Sequence, residues 1–183
     1  MHTFTYIKSD LYRYSGRLNW VAFTKNYVFN RGFNFSVWLR LTAGGGLVGI
    51  LAYPIYAWKK RRYGISISHK TRIGYGLYIG HGGPLIINTS AIIGHNVNLS
   101  PYTVIGANEG QAAHIGNGVY IGPNCCIVEQ VRIGDDATIG AGSVVTKDIP
   151  AQATAAGNYA RVLNLHQPGR YIGHRWPIED QAS

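Results

Sequence analysis

Residues 115–150 read IGNGVYIGPNCCIVEQVRIGDDATIGAGSVVTKDIP, with an aliphatic side chain at every sixth position: Ile115, Ile121, Ile127, Ile133, Ile139 and Val145. Working back from this stretch, the same pattern runs through Ile67, Ile73, Ile79, Ile87, Ile93, Leu99 and Ile105, and many of these residues are followed by Gly. Small or modest side chains (Thr71, Ala91, Val97, Thr103, Cys125, Ala137, Ser143) stand two residues earlier. A period of six fits neither a helix nor a two-faced sheet, whose apolar positions recur every 3.6 and 2 residues. It fits a hexapeptide β-helix, in which three hexads make one prism-like coil and the aliphatics of successive coils stack as one core. Glycine serves the corners, where a positive φ is cheap only without a Cβ. A β-sandwich would space its strands by about 8 to 12 residues with irregular turns. The expected fold is an all-β solenoid of roughly five coils over residues 64–150, with a helical N-terminal segment over 1–63 and a closing segment and tail over 151–183.

The spacing stretches twice, to eight between Ile79 and Ile87 and to ten between Ile105 and Ile115. The first interruption reads Gly-His-Gly-Gly-Pro and lifts His81 out of the regular turn. The second holds Glu109 and His114. An excursion from an otherwise constant solenoid is where function is usually carried. An imidazole titrating near neutral pH, framed by glycines, is a natural general base for a hydroxyl. A lone histidine in a turn is also an ordinary surface residue, and His69, His95, His166 and His174 are read that way.

The net charge of +9 belongs to one segment. Residues 1–64 carry ten cations against Asp10 alone, whereas residues 65–183 carry seven charges of each sign. This points the N-terminal segment toward anionic partners. Its helical runs end in Leu47 to Trp58, which is nearly all apolar, too short to span a bilayer and interrupted by Pro54. Four cations, Lys59 to Arg62, follow. Two placements fit: a helix lying in a membrane interface facing anionic lipid, with peripheral contact through residues 1–63, or helices packed on one another, on the first coil or on a neighbouring subunit.

Cys125 and Cys126 adjoin and so cannot form an ordinary disulfide or a zinc pair. One is expected in the core and the other as a free thiol, which suits a reducing cytoplasm. Met1 to Asp10 lacks the apolar stretch of a signal peptide. A cytoplasmic protein is expected, with the inner face of the membrane as the site that the first of the two placements implies. No nucleotide loop, dinucleotide fingerprint, nucleophile elbow or zinc-protease motif is present. His81, His95 and His114 lack the close pair that a zinc site needs, so no metal is expected. No motif supports nucleic-acid binding.

Residues 64–162, from GISISHKTRIGYGLYIGHGGPLIINTSAIIGHNVNLSPYTVIG through IGNGVYIGPNCCIVEQVRIGDDATIGAGSVVTKDIPAQATAAGNYARV, resemble the hexapeptide-repeat acetyltransferases of the serine acetyltransferase branch. Within it they look most like the short enzymes of capsule and exopolysaccharide clusters. IKSDLYRYSGR and NRGFNFSVWLRL near the N-terminus extend the likeness. The resemblance implies a left-handed parallel β-helix, a homotrimer with active sites between subunits, and acetyl-CoA as donor. It implies that His81 is the catalytic base, that acetyl-CoA lies near Gly122, Gly140, Ala141 and Gly142, and that Lys147 and Arg161 stand near its phosphates.

Serine acetyltransferases carry an Asp soon after the Gly that matches Gly64 and another just before the catalytic His, where this chain has Ser66 and Gly80. His114 stands where that branch has a lysine, so the second loop histidine has no clean match. Ser66, Gly80, Glu109 and His114 are the candidate acceptor-site residues. Loss of the carboxylates removes the groups that would hold an amino acid's ammonium, so the expected acceptor is a sugar hydroxyl of a surface polysaccharide or its precursor. Sugar N-acetylation, serine O-acetylation and a non-enzymatic trimeric scaffold are the alternatives.

Overall fold

A hexad offers only two or three residues to a strand, and such a strand is stable only with a partner on each side. The computed structural model describes residues 2–178, and in it every hexad strand lies parallel to the one a full coil away. The result is a left-handed β-helix of about five coils with three flat faces, preceded by four α-helices. Face one stacks Ile65–Ile67, Leu85–Ile87, Val104–Ile105, Cys126–Ile127 and Val144–Val145. Face two stacks Arg72–Ile73, Ile92–Ile93, His114–Ile115 and Arg132–Ile133. Face three stacks Tyr78–Ile79, Asn98–Leu99, Tyr120–Ile121, Thr138–Ile139 and Thr154–Ala156, and Arg161–Asn164 turns back antiparallel to close the end.

The repeating aliphatics point inward in register. Ile67, Ile87, Ile105, Ile127 and Val145 form one buried column, and Leu99, Ile121 and Ile139 another. Cys125 is buried in the core and Cys126 points outward as an exposed free thiol. On face one, Ser66 pairs with Ile86, Ile86 with Val104, Val104 with Cys126 and Cys126 with Val144, so successive coils take 20, 18, 22 and 18 residues. The extra residues of both interruptions are thus confined to corners, and the inner columns are undisturbed.

The helices are α1 (His2–Ser15), α2 (Trp20–Phe29), α3 (Arg31–Ala43) and α4 (Gly46–Tyr63). Asn19 and Asn30 cap α2 and α3, accepting from the backbone N–H of Ala22 and Phe33. Gly64 at φ +68° ends α4. The first coil has no coil beneath it, and the helices supply what is missing. Asp10 accepts from Arg40 Nε (2.9 Å) and Nη2 (3.0 Å) and from the Leu77 N–H (2.8 Å). Arg40 also donates to the carbonyls of Ile73 and Gly74, at 2.9 and 2.7 Å. Tyr14 Oη accepts from the N–H of Ile79 and donates to its carbonyl, and Tyr56 Oη donates to the Ile67 carbonyl. Side chains thereby replace the missing strand ladder, as the backbone polar groups of a covered edge require.

The described part of the tail, residues 166–178, folds back over face three. Asn96 bonds both backbone groups of Trp176, at 2.8 and 3.0 Å, and Asn98 donates to the Tyr171 carbonyl at 3.2 Å. Arg175 pairs with Asp136 at 2.6 Å, and Tyr12 meets the rings of His174 and Trp176 edge-on. The tail's aromatic groups and the polar outer side of face three cover each other. Arg13 lies beneath, bonded to Asn98. Burial, with Arg175 nearby, pulls its guanidinium down to about 10.

Removing one partner from the buried Asp10–Arg40 pair leaves an uncompensated charge. Asp10→Ala should lower the unfolding free energy by about 3–5 kcal/mol, measured by urea denaturation. The double change Asp10→Leu/Arg40→Met should not recover that loss, because the Leu77 N–H and the carbonyls of Ile73 and Gly74 are left without partners.

Candidate active site

The two extra residues of the first interruption form a tight 3₁₀ turn, Gly80–Gly82, with His81 at its apex at φ +54° and ψ −4°. The left-handed backbone at a ringed residue is costly, and here it leaves the imidazole exposed at the edge between faces three and one. The turn is seated on the start of α3. A Cβ at Gly82, itself at φ +57°, would strike Arg31 and Gly32, and a Cβ at Gly32 would strike the Ile79 carbonyl. Gly32 and Gly82 therefore allow the helix and the turn to approach backbone to backbone, which fixes where His81 stands.

Above His81 the same edge continues coil by coil. The Tyr102 N–H bonds to the Pro84 carbonyl, Asn124 to Pro101 at 3.0 Å and Gly142 to Pro123 at 2.8 Å. Gly122, Gly140, Ala141 and Gly142 all lie on this edge, and nothing stands within 4 Å of the position a Cβ at Gly142 would take. Of these glycines, only Gly142 faces open space: a Cβ at Gly122 would meet Ala141 and one at Gly140 would meet Ala156, and Tyr102 occupies the same edge on the coil between them and the imidazole. Ser66 faces outward on face one, beside Ile86 and one coil from the turn.

The remaining candidates lie elsewhere on the same chain. His114 is exposed on face two, and Glu109 sits in the loop at the edge between faces one and two. Lys147 lies near that second edge, following Val144–Val145, and Arg161 is in the terminal hairpin. One copy therefore does not bring Glu109, His114 or Lys147 to His81. Face one separates the two edges, so contact between these residues requires a neighbouring copy. Among the described residues of one chain, no hydrogen bond holds the His81 ring.

The loop of the second interruption has its own clamp. One carboxylate oxygen of Glu129 accepts from Asn108, Glu109 and Gly110, at 2.9, 3.1 and 3.0 Å. The N–H groups of Gly110, Asn108 and Glu109 hold the Glu129 carboxyl below the ordinary glutamate range. Ser90 adds a bond to the Ala112 N–H at 2.9 Å.

A family model described as bacterial transferase hexapeptide (six repeats) matches residues 112–147. Over 146 residues the chain is 30% identical to a serine acetyltransferase of Helicobacter pylori, covering 69% of this chain and 85% of that protein. The chain belongs to the hexapeptide-repeat acetyltransferases, in their serine acetyltransferase branch. Other members of the branch are longer. Serine acetyltransferase 3 of Arabidopsis thaliana is 36% identical over 118 residues, which are 62% of this chain but 30% of the plant protein. The chain spans about a third of the length of the first curated relatives it matches, 30–37%. A crystal structure of serine acetyltransferase from Brucella abortus in complex with coenzyme A superposes with a TM-score of 0.77 at 25% identity, over 88% of this chain and 68% of that chain.

One further feature of the edge stands out in physical terms. Corner residues in the left-handed region are otherwise Gly, Asn, Gln or Asp, as at Asn96, Asn124, Gln130, Asp136 and Gln152. Those side chains tolerate it. In the coils only His81 and Tyr102 place a ring there, at φ +54° and +62°, and they occupy the same edge on successive coils. Tyr102 is 59% exposed. Its signal in the sequence is an aromatic in the hexad position filled by Asn124 and Gly142 on the next two coils.

Because Glu129 has a lowered carboxyl value in the folded chain, its clamp is complete above the ordinary glutamate range and is lost as pH falls through that lowered value. Amide exchange at residues 108–110, corrected for intrinsic rates, should be slow at pH 7 and rise as the pH is lowered through that value. Glu129→Ala should give the fast exchange already at pH 7.

Proposed function

We propose that the chain is an acetyl-CoA-dependent O-acetyltransferase working as a homotrimer, with His81 as general base. The observation that carries this reading is the exposed imidazole held on the edge that also carries Gly122, Gly140, Ala141 and Gly142. Donor transfer is direct. An acceptor hydroxyl oxygen attacks the thioester carbonyl as the imidazole takes its proton. The C–S bond then breaks, and the proton passes to the departing CoA thiolate. Backbone N–H groups near the turn would stabilise the oxyanion. The pantetheine runs along Gly122, Gly140, Ala141 and Gly142, with Lys147 and Arg161 toward the phosphates, Lys147 coming from a neighbouring copy. Glu109 or His114 of a neighbouring copy would orient the second imidazole nitrogen.

The relatives are named serine acetyltransferases, which supports serine as the first acceptor to consider. A sugar hydroxyl is the second reading, and one arrangement favours it. An amino acid's ammonium calls for a carboxylate beside the base. Asp10, the one acid of the helical segment, is fully buried and committed to Arg40 and the Leu77 N–H. Ser66 and Gly80 bring no charge, and the Tyr102 ring offers a flat apolar surface suited to a pyranose.

His81→Ala should lower acetyl transfer by about 10²–10⁴-fold, while acetyl-CoA still raises the melting temperature and the trimer persists in sedimentation. Full activity in that variant overturns the assignment. A screen with labelled acetyl-CoA over serine, sugar nucleotides and purified glycans decides the acceptor: efficient transfer to serine removes the sugar reading, and transfer to glycan with none to serine removes the amino-acid reading.

A further inference from the structure

α4 is apolar on nearly every side but buried on only one. Gly49, Ala52, Tyr56 and Lys59 form the stripe that faces inward. Leu47, Val48, Ile50, Leu51, Ile55 and Trp58 point out, with Leu47, Ile50 and Leu51 about 70% exposed. A helix that is hydrophobic all round belongs in an apolar environment, not in water on three sides. The helix then ends in Lys59, Lys60, Arg61 and Arg62, and the Lys59 ammonium lies 5.5 Å from the ring centres of both Trp58 and Tyr63. Aromatic groups beside cations at the end of an apolar run are the pattern of a membrane–water interface.

We propose that the outer side of α4 docks on an anionic lipid bilayer, lying in the headgroup region with Lys60, Arg61 and Arg62 among the lipid phosphates. Charge selects this occupant over a second copy. Residues 1–64 hold ten cations and one acid, and that acid, Asp10, is buried against Arg40, so a second copy of this segment has no exposed carboxylate to offer. Length excludes a span. From Gly46 to Trp58 the helix rises about 20 Å at 1.5 Å per residue, against about 30 Å of hydrocarbon, and no described helix is long and apolar enough to cross a membrane. α2 exposes further apolar groups at Trp20, Val21, Val28 and Phe29. This inference is independent of which hydroxyl is acetylated.

The test is co-sedimentation of the full chain with vesicles of phosphatidylcholine alone and of phosphatidylcholine with 30 mol% phosphatidylglycerol (about one anionic lipid in three). The anionic vesicles should bind the chain and the neutral ones at least about tenfold less. Ile50→Glu/Leu51→Glu and Arg61→Glu/Arg62→Glu alter only exposed side chains. Each should cut binding to the anionic vesicles by about tenfold or more with the melting temperature unchanged. Absence of binding by the unaltered chain overturns the proposal. So does an Ile50→Glu/Leu51→Glu variant that sediments in solution as a smaller assembly than the unaltered chain, because the face would then be covered by a second copy.

Discussion

A strand of two residues cannot hold itself in place, and every hexad here depends on hydrogen bonds to the coil below and the coil above. That dependence dictates most of what the chain can and cannot do. Residues can be added only where they leave the inner columns in register, so both interruptions fall at corners. The ladder also cannot simply stop. At the lower end Asp10, Arg40, Tyr14 and Tyr56 take over the bonds that a preceding coil would have made. At the upper end the chain turns back on itself as an antiparallel hairpin. The helices are therefore the lower cap of the solenoid.

The same constraint explains how His81 is positioned. A histidine in a left-handed turn would be mobile on an ordinary loop. Here the turn is fixed on one side by the strand that precedes it and on another by the first residues of α3, with Gly32 and Gly82 permitting the contact. The cap and the catalytic candidate are thus physically one unit. What the single chain leaves open is the second nitrogen of the imidazole and the far wall of the donor track. Glu109, His114 and Lys147 lie across face one from His81, and a cyclic trimer is the arrangement that would turn one copy's second edge toward another's first.

The period of six made the coil legible because it is a local property, repeated more than a dozen times and incompatible with other regular structures. The two corner insertions were legible for the same reason, as departures from a constant count, and so was the division of labour between Cys125 and Cys126. The lower cap was not, because Asp10 counts in a sequence only as one acid among ten cations, and its pairing with Arg40 spans thirty residues with no periodic trace. The docking of the tail failed to show for a similar reason. It rests on Asn96 and Asn98 bonding backbone groups of Tyr171 and Trp176, which any sequence would provide. Tyr102 needed the backbone angle to stand out from other surface tyrosines. Ser66 and Gly80, standing where the branch carries carboxylates, point to a sugar hydroxyl. The relatives are serine acetyltransferases, which moves serine to the front, while the uncharged Ser66 and Gly80 keep a sugar hydroxyl in view.

The central claim is that the edge carrying His81, Tyr102, Gly122 and Gly142 is where donor and base meet, at a boundary between copies. A crystal structure of the assembled protein with coenzyme A tests it most directly. The account predicts a trimer with the pantetheine lying along Gly122 and Gly142 and the thiol within about 3.5 Å of the His81 ring, as a reacting pair requires. A thiol lodged on face two or face three, away from His81, would contradict it.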